Sequence, residues 1–141
     1  MKLDAIYTEL ITEHSRDKRN RRPVEGATHS HRGVNPSCGD ELTLELRVRD
    51  GVIEDAAFTG SGCAISQASA SMMADLLRGR SVEDANGLAE KFLGMIKGDV
   101  SDEDELAELD EAAALQGVSK MPARVKCAVL PWHTYMAAVE Q

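Results

Sequence analysis

Three short segments of this sequence each contain one of its three cysteines in a setting suited to metal or sulfur chemistry. In the first segment, Pro36 and Gly39 bracket Cys38 and predict a turn, and Asp40 follows two residues after the cysteine. Side chains two positions apart in an extended segment face the same way, so a soft thiolate and a harder carboxylate can reach one ion. This segment is therefore a candidate for part of a metal site.

The other two cysteines lie where a thiolate is stabilised. Cys63 follows residues 60–62, in which two glycines allow the chain to turn sharply out of a predicted strand into a predicted helix. The positive end of a helix dipole stabilises a thiolate at such a position. Cys127 is preceded by the cations Arg124 and Lys126, which can support anionic sulfur.

Three thiolates and one carboxylate match the ligand number of a closed tetrahedral zinc site. A lone cysteine is more often a buried small hydrophobe, and that alternative applies to each cysteine taken singly. The separations of 25 and 64 residues between the cysteines lack the tight C-x-x-C signature. Residue chemistry alone leaves both interpretations open. A shared site would consist of Cys38, Asp40, Cys63 and Cys127.

The four histidines compete for the same role. His29 and His31 could lie on one side of a strand, but histidines in such segments are more often solvated. The sequence does not define their roles. We expect His14 and His133 at the surface or at helix ends.

The elements that position these residues follow from hydrophobic periodicity. Alternation from Leu42 to Val48 predicts a half-buried strand, Asp50-Gly51 predicts a tight turn, and residues 52–59 predict the returning strand. Residues 24–34 predict a weaker third strand. The order of a helix, strands and then helices predicts an α+β domain with helices packed on a small antiparallel sheet of about three strands.

Helical periodicity describes the rest of the chain. The opening helix is predicted from residues 3, 6, 7, 10 and 11, and the basic residues between 16 and 22 are interpreted as its solvated end. Gly79 predicts the end of a second helix and Ser81 the capped start of a third. Residues 99–111 contain eight acids and predict a short exposed acidic helix. A last helix is predicted to begin near Pro122.

Composition limits the functional classes. The 141 residues fit one domain, and the formal net charge of −8 argues against nucleic acid as the main partner. No apolar run has transmembrane length, and acids interrupt the apolar N-terminal stretch, so we expect neither a membrane partner nor a signal peptide. An odd number of cysteines suits a reducing compartment. The sequence therefore predicts a cytoplasmic protein.

The cysteine segments resemble the three signature segments of the IscU/SufU family of iron–sulfur cluster assembly proteins. The resemblance extends to the opening helix and covers nearly the whole chain. The matching stretches are residues 35–40, residues 60–66 with 68–71, and residues 124–128, preceded by Tyr7, Ile11, His14, Arg19 and Asn20.

The resemblance implies a small α+β domain over residues 1–141 that takes part in iron–sulfur cluster assembly. It implies that Cys38, Asp40, Cys63 and Cys127 bind zinc or a nascent cluster. The implied partner is a pyridoxal-phosphate cysteine desulfurase, which delivers sulfur as a persulfide, and a downstream cluster scaffold could receive it.

Two features resemble the SufU-type branch, which is zinc-dependent and transfers sulfur. Lys126 stands where the IscU-type scaffolds have a histidine, and an acidic insertion spans about residues 98–120. The leading hypothesis is a zinc-dependent sulfurtransferase with Cys38 as sulfur acceptor and with Lys126 and Arg124 as electrostatic support. The alternatives are a scaffold that assembles a [2Fe–2S] cluster on the same four ligands and a structural zinc-binding interaction domain.

Overall fold

The computed structural model describes residues 2–37 and 39–140, with side chains from residue 9 onward. Three strands precede most of the helices, as the α+β prediction requires. In chain order the elements are α1 (Lys2–Arg16), β1 (His29–Asn35), β2 (Asp40–Arg49), β3 (Val52–Ser61), α2 (Ala64–Leu77), α3 (Val82–Lys97), α4 (Glu103–Ala107), a 3-10 helix (Asp110–Lys120) and α5 (Pro122–Val139).

The three strands form one antiparallel sheet in the order β1-β2-β3. Asp50 and Gly51 connect β2 to β3 with positive φ angles of 53° and 78°, as a two-residue hairpin turn requires. Alternate residues of β2 are buried, which confirms the predicted pattern. The predicted third strand is confirmed only from His29 onward, since residues 24–28 precede β1.

Helix α2 lies at the centre of the molecule and buries eleven of its fourteen residues. It packs against α1, α5 and β3, so the helix is fixed relative to all three. Ser81 caps α3 by accepting a hydrogen bond from the Asp84 N–H, as predicted. Phe92 of α3 stacks on Trp132 of α5, with ring centroids 4.1 Å apart.

The acidic insertion is only partly exposed, so the prediction of an exposed acidic helix is half right. Helix α4 occupies five of its residues, and the 3-10 helix follows. The acids face solvent, whereas the apolar side chains between them complete the hydrophobic core. The buried apolar residues of this insertion are Leu106, Leu109, Ala112, Leu115 and Val118.

The basic stretch is a solvated helix end only in part. Arg16 lies exposed in the last turn of α1 and Lys18 is exposed after it, as predicted, whereas cations farther along the chain form ion pairs. Helix α1 ends at Arg16, and the chain then turns back along the sheet. Both oxygens of Asp55 accept hydrogen bonds from the Arg22 guanidinium, at 2.9 and 3.0 Å, and Arg19 pairs with Asp17 and Asp75. Arg19 and Arg22 are therefore attached to the fold by nearby carboxylates.

His14 lies in the last turn of α1, as predicted for a helix end, but it is buried, with 5% of its surface exposed. Its Nδ1 lies 2.9 Å from the Ser71 hydroxyl and its Nε2 lies 2.9 Å from a Glu111 carboxylate oxygen. His133 is exposed, as predicted. Within the ranges that the structure describes, no helix is long and apolar enough to cross a membrane.

Candidate metal centre

Asp40 supplies a buried carboxylate at the point where β2 begins. It pairs with Asn35 at the end of β1, so the β1–β2 connection brings the first cysteine segment to this corner of the sheet. Only 1% of Asp40 is exposed. Its Oδ1 accepts a hydrogen bond from the Cys63 N–H at 2.8 Å, which fixes the carboxylate against the start of α2.

Cys63 is the N-cap of α2, which confirms its predicted place at a helix start. Its Sγ accepts a hydrogen bond from the Ser66 N–H at 3.5 Å and lies 3.8 Å from Asp40 Oδ2. A cap residue accepts from the third N–H of its helix, and here a sulfur takes the place of the usual oxygen. The thiol therefore lies over the positive end of the α2 dipole.

Gly62 permits the close approach of Asp40 to Cys63. A Cβ atom at this position would lie 2.6 Å from Asp40 Oδ1 and 2.5 Å from the Ser66 hydroxyl oxygen. Any larger residue would therefore have to displace the carboxylate or the serine side chain. The glycine before Cys63 is required for the site itself, in addition to the turn that the sequence predicted.

Cys127 reaches the site from α5 and is fully buried. Its thiol is directed at the Ala123 carbonyl, with a sulfur–oxygen distance of 4.0 Å. Helix α5 is fixed to α2 because Ser69 donates a 2.6 Å hydrogen bond to the Ala128 carbonyl and accepts one from the Trp132 indole. These contacts set the depth of Cys127 relative to Cys63.

The three side chains converge although they come from distant parts of the sequence. Ligand atoms of Asp40, Cys63 and Cys127 all lie within 4.8 Å of one another. Tetrahedral zinc with ordinary Zn–S and Zn–O bonds would hold a sulfur and an oxygen about 3.5 Å apart. The observed 3.8 Å between Cys63 Sγ and Asp40 Oδ2 is close to that value, so the donor set fits zinc.

The other residues that the sequence predicted to act at the metal site are not among the three converging side chains. Cys38 lies outside the described residues. Arg124 and Lys126 are on the exposed side of α5, and no described residue forms an ion pair with either side chain. His29 and His31 are half-buried on β1 and do not belong to the converging group.

A second group of potential ligands was missed by the sequence analysis. His14, Asp75 and Glu111 also bring ligand atoms within 4.8 Å of one another. Asp75 is already paired with Arg19 and Arg78, and both ring nitrogens of His14 have partners. The group is therefore a structural polar network. One feature of the sequence indicated that His14 is buried: it lies three residues after Ile11, on the buried face of α1.

The fold and the converging side chains define an α+β protein with a candidate Cys2Asp metal centre. A sequence model of the NifU-like N terminal domain family matches residues 6–140, and the chain belongs to this family. The IscU and SufU proteins are its relatives, which confirms the resemblance seen in the cysteine segments.

Two relatives and one solved structure illustrate the similarity. The zinc-dependent sulfurtransferase SufU of Bacillus subtilis is 39% identical over 130 residues, covering 92% of this chain and 86% of the relative. The iron–sulfur cluster assembly scaffold protein IscU of Thermotoga maritima is 40% identical over 136 residues, covering 96% of this chain and 94% of the relative. The solved structure is that of a Fervidobacterium islandicum protein described as an iron–sulfur cluster assembly scaffold for the SUF system. Its sequence is 36% identical to this chain, and the two structures superpose with a TM-score of 0.86 over 96% of this chain and 97% of the other.

Proposed function

We propose that this protein is a zinc-dependent sulfurtransferase that accepts persulfide sulfur from a pyridoxal-phosphate cysteine desulfurase for iron–sulfur cluster assembly. The observation that carries the proposal is the convergence of Asp40, Cys63 and Cys127 from three separate segments within 4.8 Å. The named activity of the Bacillus subtilis relative supports zinc and sulfur transfer. The proposal treats residues 1–141 as one domain that works in the cytoplasm, where thiols stay reduced.

Asp40, Cys63 and Cys127 would hold the zinc ion together with Cys38, which lies two residues before Asp40 in the sequence. A bound zinc ion keeps its thiol ligands deprotonated at neutral pH, and the thiolate is the form that reacts with a persulfide. The chain contributes the geometry: the buried Asp40 carboxylate is fixed by the Cys63 N–H, and both helix-borne cysteines are anchored.

Sulfur transfer is a thiol–persulfide exchange. The acceptor thiolate attacks the terminal sulfur of the persulfide on the partner, a new sulfur–sulfur bond forms, and the partner's cysteine leaves as a thiolate. We assign Cys38 as the acceptor because Pro36 and Gly39 bracket it in the sequence, a pattern that predicts a loop, whereas Cys63 and Cys127 are held by α2 and α5. Arg124 and Lys126, exposed on α5, would support the anionic sulfur.

Sulfur location by mass spectrometry tests these roles. After incubation of the zinc-loaded chain with desulfurase and cysteine, we expect one additional sulfur on Cys38. Cys38→Ser should keep its fold and part of its zinc but accept no sulfur. Cys63→Ser and Cys127→Ser should lose zinc and thermal stability first, because each removes an anchored ligand. Sulfur on Cys63 or Cys127, with an active Cys38→Ser variant, would contradict the assignment.

The second candidate function is a scaffold that assembles a [2Fe–2S] cluster on the same four residues. The scaffold name of the Thermotoga maritima relative favours it. The metal content after expression without added metal separates the two functions. About one zinc per chain and a colourless protein support the sulfurtransferase, whereas iron with less than half an equivalent of zinc supports the scaffold. Bound zinc without any sulfur transfer would support the third alternative, a structural zinc-binding interaction domain.

Partner recognition provides a further test of the proposed function. The acidic residues of the insertion face solvent, so they are available to steer a desulfurase, and charges at the rim of an interface act mainly on association rate. Replacing Glu103 and Asp104 by the corresponding amides should change the association rate and its salt dependence. An unchanged rate at low and high salt would show that the acids serve only as a solvated face.

A further inference from the structure

Cys63 is a second thiol that a persulfide could reach at the candidate metal centre. It is half-buried, whereas Cys127 is fully buried. Burial therefore protects Cys127 from a sulfur donor but does not by itself prevent attack by Cys63. If sulfur is to go to Cys38 alone, a second feature of the site must make Cys63 a poor nucleophile.

Ser66 of α2 lies against the Cys63 sulfur. Its N–H donates to Cys63 Sγ at 3.5 Å, and its hydroxyl oxygen lies 3.8 Å from the same sulfur. Only 2% of Ser66 is exposed, so water has little access to the hydroxyl. A Cβ atom at Gly62 would lie 2.5 Å from the hydroxyl oxygen, so the chain before Cys63 packs closely on this side chain.

The Ser66 hydroxyl is not needed to cap α2. Ser66 is the third residue of the helix, and in a capping box the side chain at this position reaches back to the N–H of the N-cap residue. That N–H belongs to Cys63 and already donates to Asp40 Oδ1 at 2.8 Å. The hydroxyl donates instead to the Cys63 carbonyl at 3.1 Å. Its place beside the cysteine is therefore not explained by capping.

The hydroxyl can turn from the carbonyl to the sulfur when Cys63 is a thiolate. The Cys63 carbonyl also accepts from the Gln67 N–H at 3.1 Å, so it keeps a partner when the hydroxyl turns away. A thiolate is a charged acceptor, and hydrogen bonds to charged groups are stronger than those to neutral carbonyls. The zinc-bound Cys63 thiolate would then accept two hydrogen bonds from Ser66, one from the N–H and one from the hydroxyl.

We propose that Ser66 directs sulfur to Cys38, because its hydrogen bonds make the zinc-bound Cys63 thiolate a poor nucleophile. A donated hydrogen bond stabilises the negative charge on sulfur, and a less basic thiolate attacks more slowly. Ser66 is thus a positioning residue that acts through Cys63. Without its hydroxyl, Cys63 also attacks the terminal sulfur of the donor persulfide: a sulfur–sulfur bond forms on Cys63, and the partner's cysteine leaves as a thiolate. The inference rests on the proposed function.

Alkylation of the zinc-loaded chain tests this role without a desulfurase. Iodoacetamide labels nucleophilic sulfur, and peptide mapping gives the labelling rate at each cysteine. Ser66→Ala removes the hydroxyl and keeps the N–H. It should raise the rate at Cys63 by about three- to tenfold, because roughly half of the free energy of a hydrogen bond to a charged group appears in the barrier to attack. Zinc content should not fall. Ser66→Thr retains a hydroxyl and should react as slowly as the unmodified chain.

Ser71→Ala is the matched control. Ser71 is a fully buried serine of the same helix, and its hydroxyl contacts His14 and Asn20 instead of a cysteine. Its removal should leave the labelling rate at Cys63 unchanged, which separates a general loosening of α2 from the effect of the hydroxyl on sulfur. After incubation with desulfurase and cysteine, mass spectrometry should find added sulfur on Cys63 as well as Cys38 in Ser66→Ala, and on Cys38 alone in Ser71→Ala.

Each contrary outcome is distinct. An unchanged labelling rate at Cys63 in Ser66→Ala would overturn the proposed role of Ser66, and so would an equal acceleration in Ser66→Thr or Ser71→Ala. Sulfur on Cys38 of the unmodified chain, with none on Cys63 of Ser66→Ala, would overturn this role and leave the proposed function intact. Absence of sulfur on every cysteine of the unmodified chain would overturn the proposed function and the directing role of Ser66 with it.

Discussion

Replacing Gly62 by alanine should weaken zinc binding without unfolding the protein. The new Cβ atom would lie 2.6 Å from Asp40 Oδ1, so the carboxylate must withdraw by roughly 0.8 Å to reach an ordinary contact. A shift of that size can break the 2.8 Å hydrogen bond from the Cys63 N–H. The φ angle of Gly62 is not in the left-handed region, so alanine adds no backbone strain.

The size of the effect follows from the bond that is lost. A hydrogen bond to a charged group contributes about 1.5–3 kcal/mol, which corresponds to a roughly 10- to 100-fold weaker affinity when the bond orients a metal ligand. Competition with a chromogenic zinc chelator measures this affinity, and circular dichroism verifies the fold. The Ser66 side chain is also close to the new atom. If displacement of Asp40 causes the loss of affinity, the double variant Gly62→Ala with Ser66→Ala should still bind zinc weakly.

Gly87→Ala is the matched control. A Cβ atom at Gly87 meets no neighbouring atom, and the residue lies within α3, so alanine should leave zinc affinity unchanged and raise stability by up to about 1 kcal/mol. Zinc affinity of Gly62→Ala equal to that of the unmodified chain would refute the claim that this glycine positions the Asp40 carboxylate.

Two further substitutions test how the site is supported. Gly33→Ala should destabilise the fold by about 1–3 kcal/mol, measured by urea unfolding of the zinc-loaded protein. The reason is that the new Cβ atom would overlap Thr134 and lie 3.2 Å from Leu130 of α5. Unchanged stability would show that α5 can shift without cost. Hydrogen bonds from Arg22 lower the pKa of Asp55 from 3.8 to about 2, so this pair stabilises the fold above pH 3.8 and loses its effect as the pH falls through 2. Asp55→Asn should therefore lower the free energy of unfolding by about 1–2 kcal/mol at pH 7, a range that allows for the solvent around Arg22. The difference from the unmodified chain should shrink between pH 4 and pH 2. A difference that does not depend on pH would exclude this ion pair as its cause.

The local features of this fold were readable in the sequence. Alternating side chains predicted β2, the Asp50-Gly51 turn predicted the hairpin, and Cys63 was predicted at a helix start where it is now seen as the N-cap. Each of these features depends on neighbouring residues, whose hydrogen bonds and periodicity are fixed by local geometry. The family resemblance supplied the candidate ligands before any distance between them was known.

Only the tertiary structure decided which distant groups meet. It brought Asp40, Cys63 and Cys127 together. It also buried His14 against Ser71 and Glu111, where the sequence predicted only a position at the surface or at a helix end. It also attached Arg22 to Asp55. Periodicity identifies the apolar face of a helix or strand but not the element that covers it, because that choice depends on packing across the whole core. Polar partners across such contacts are therefore set by the arrangement of the elements and have no signature in the local sequence.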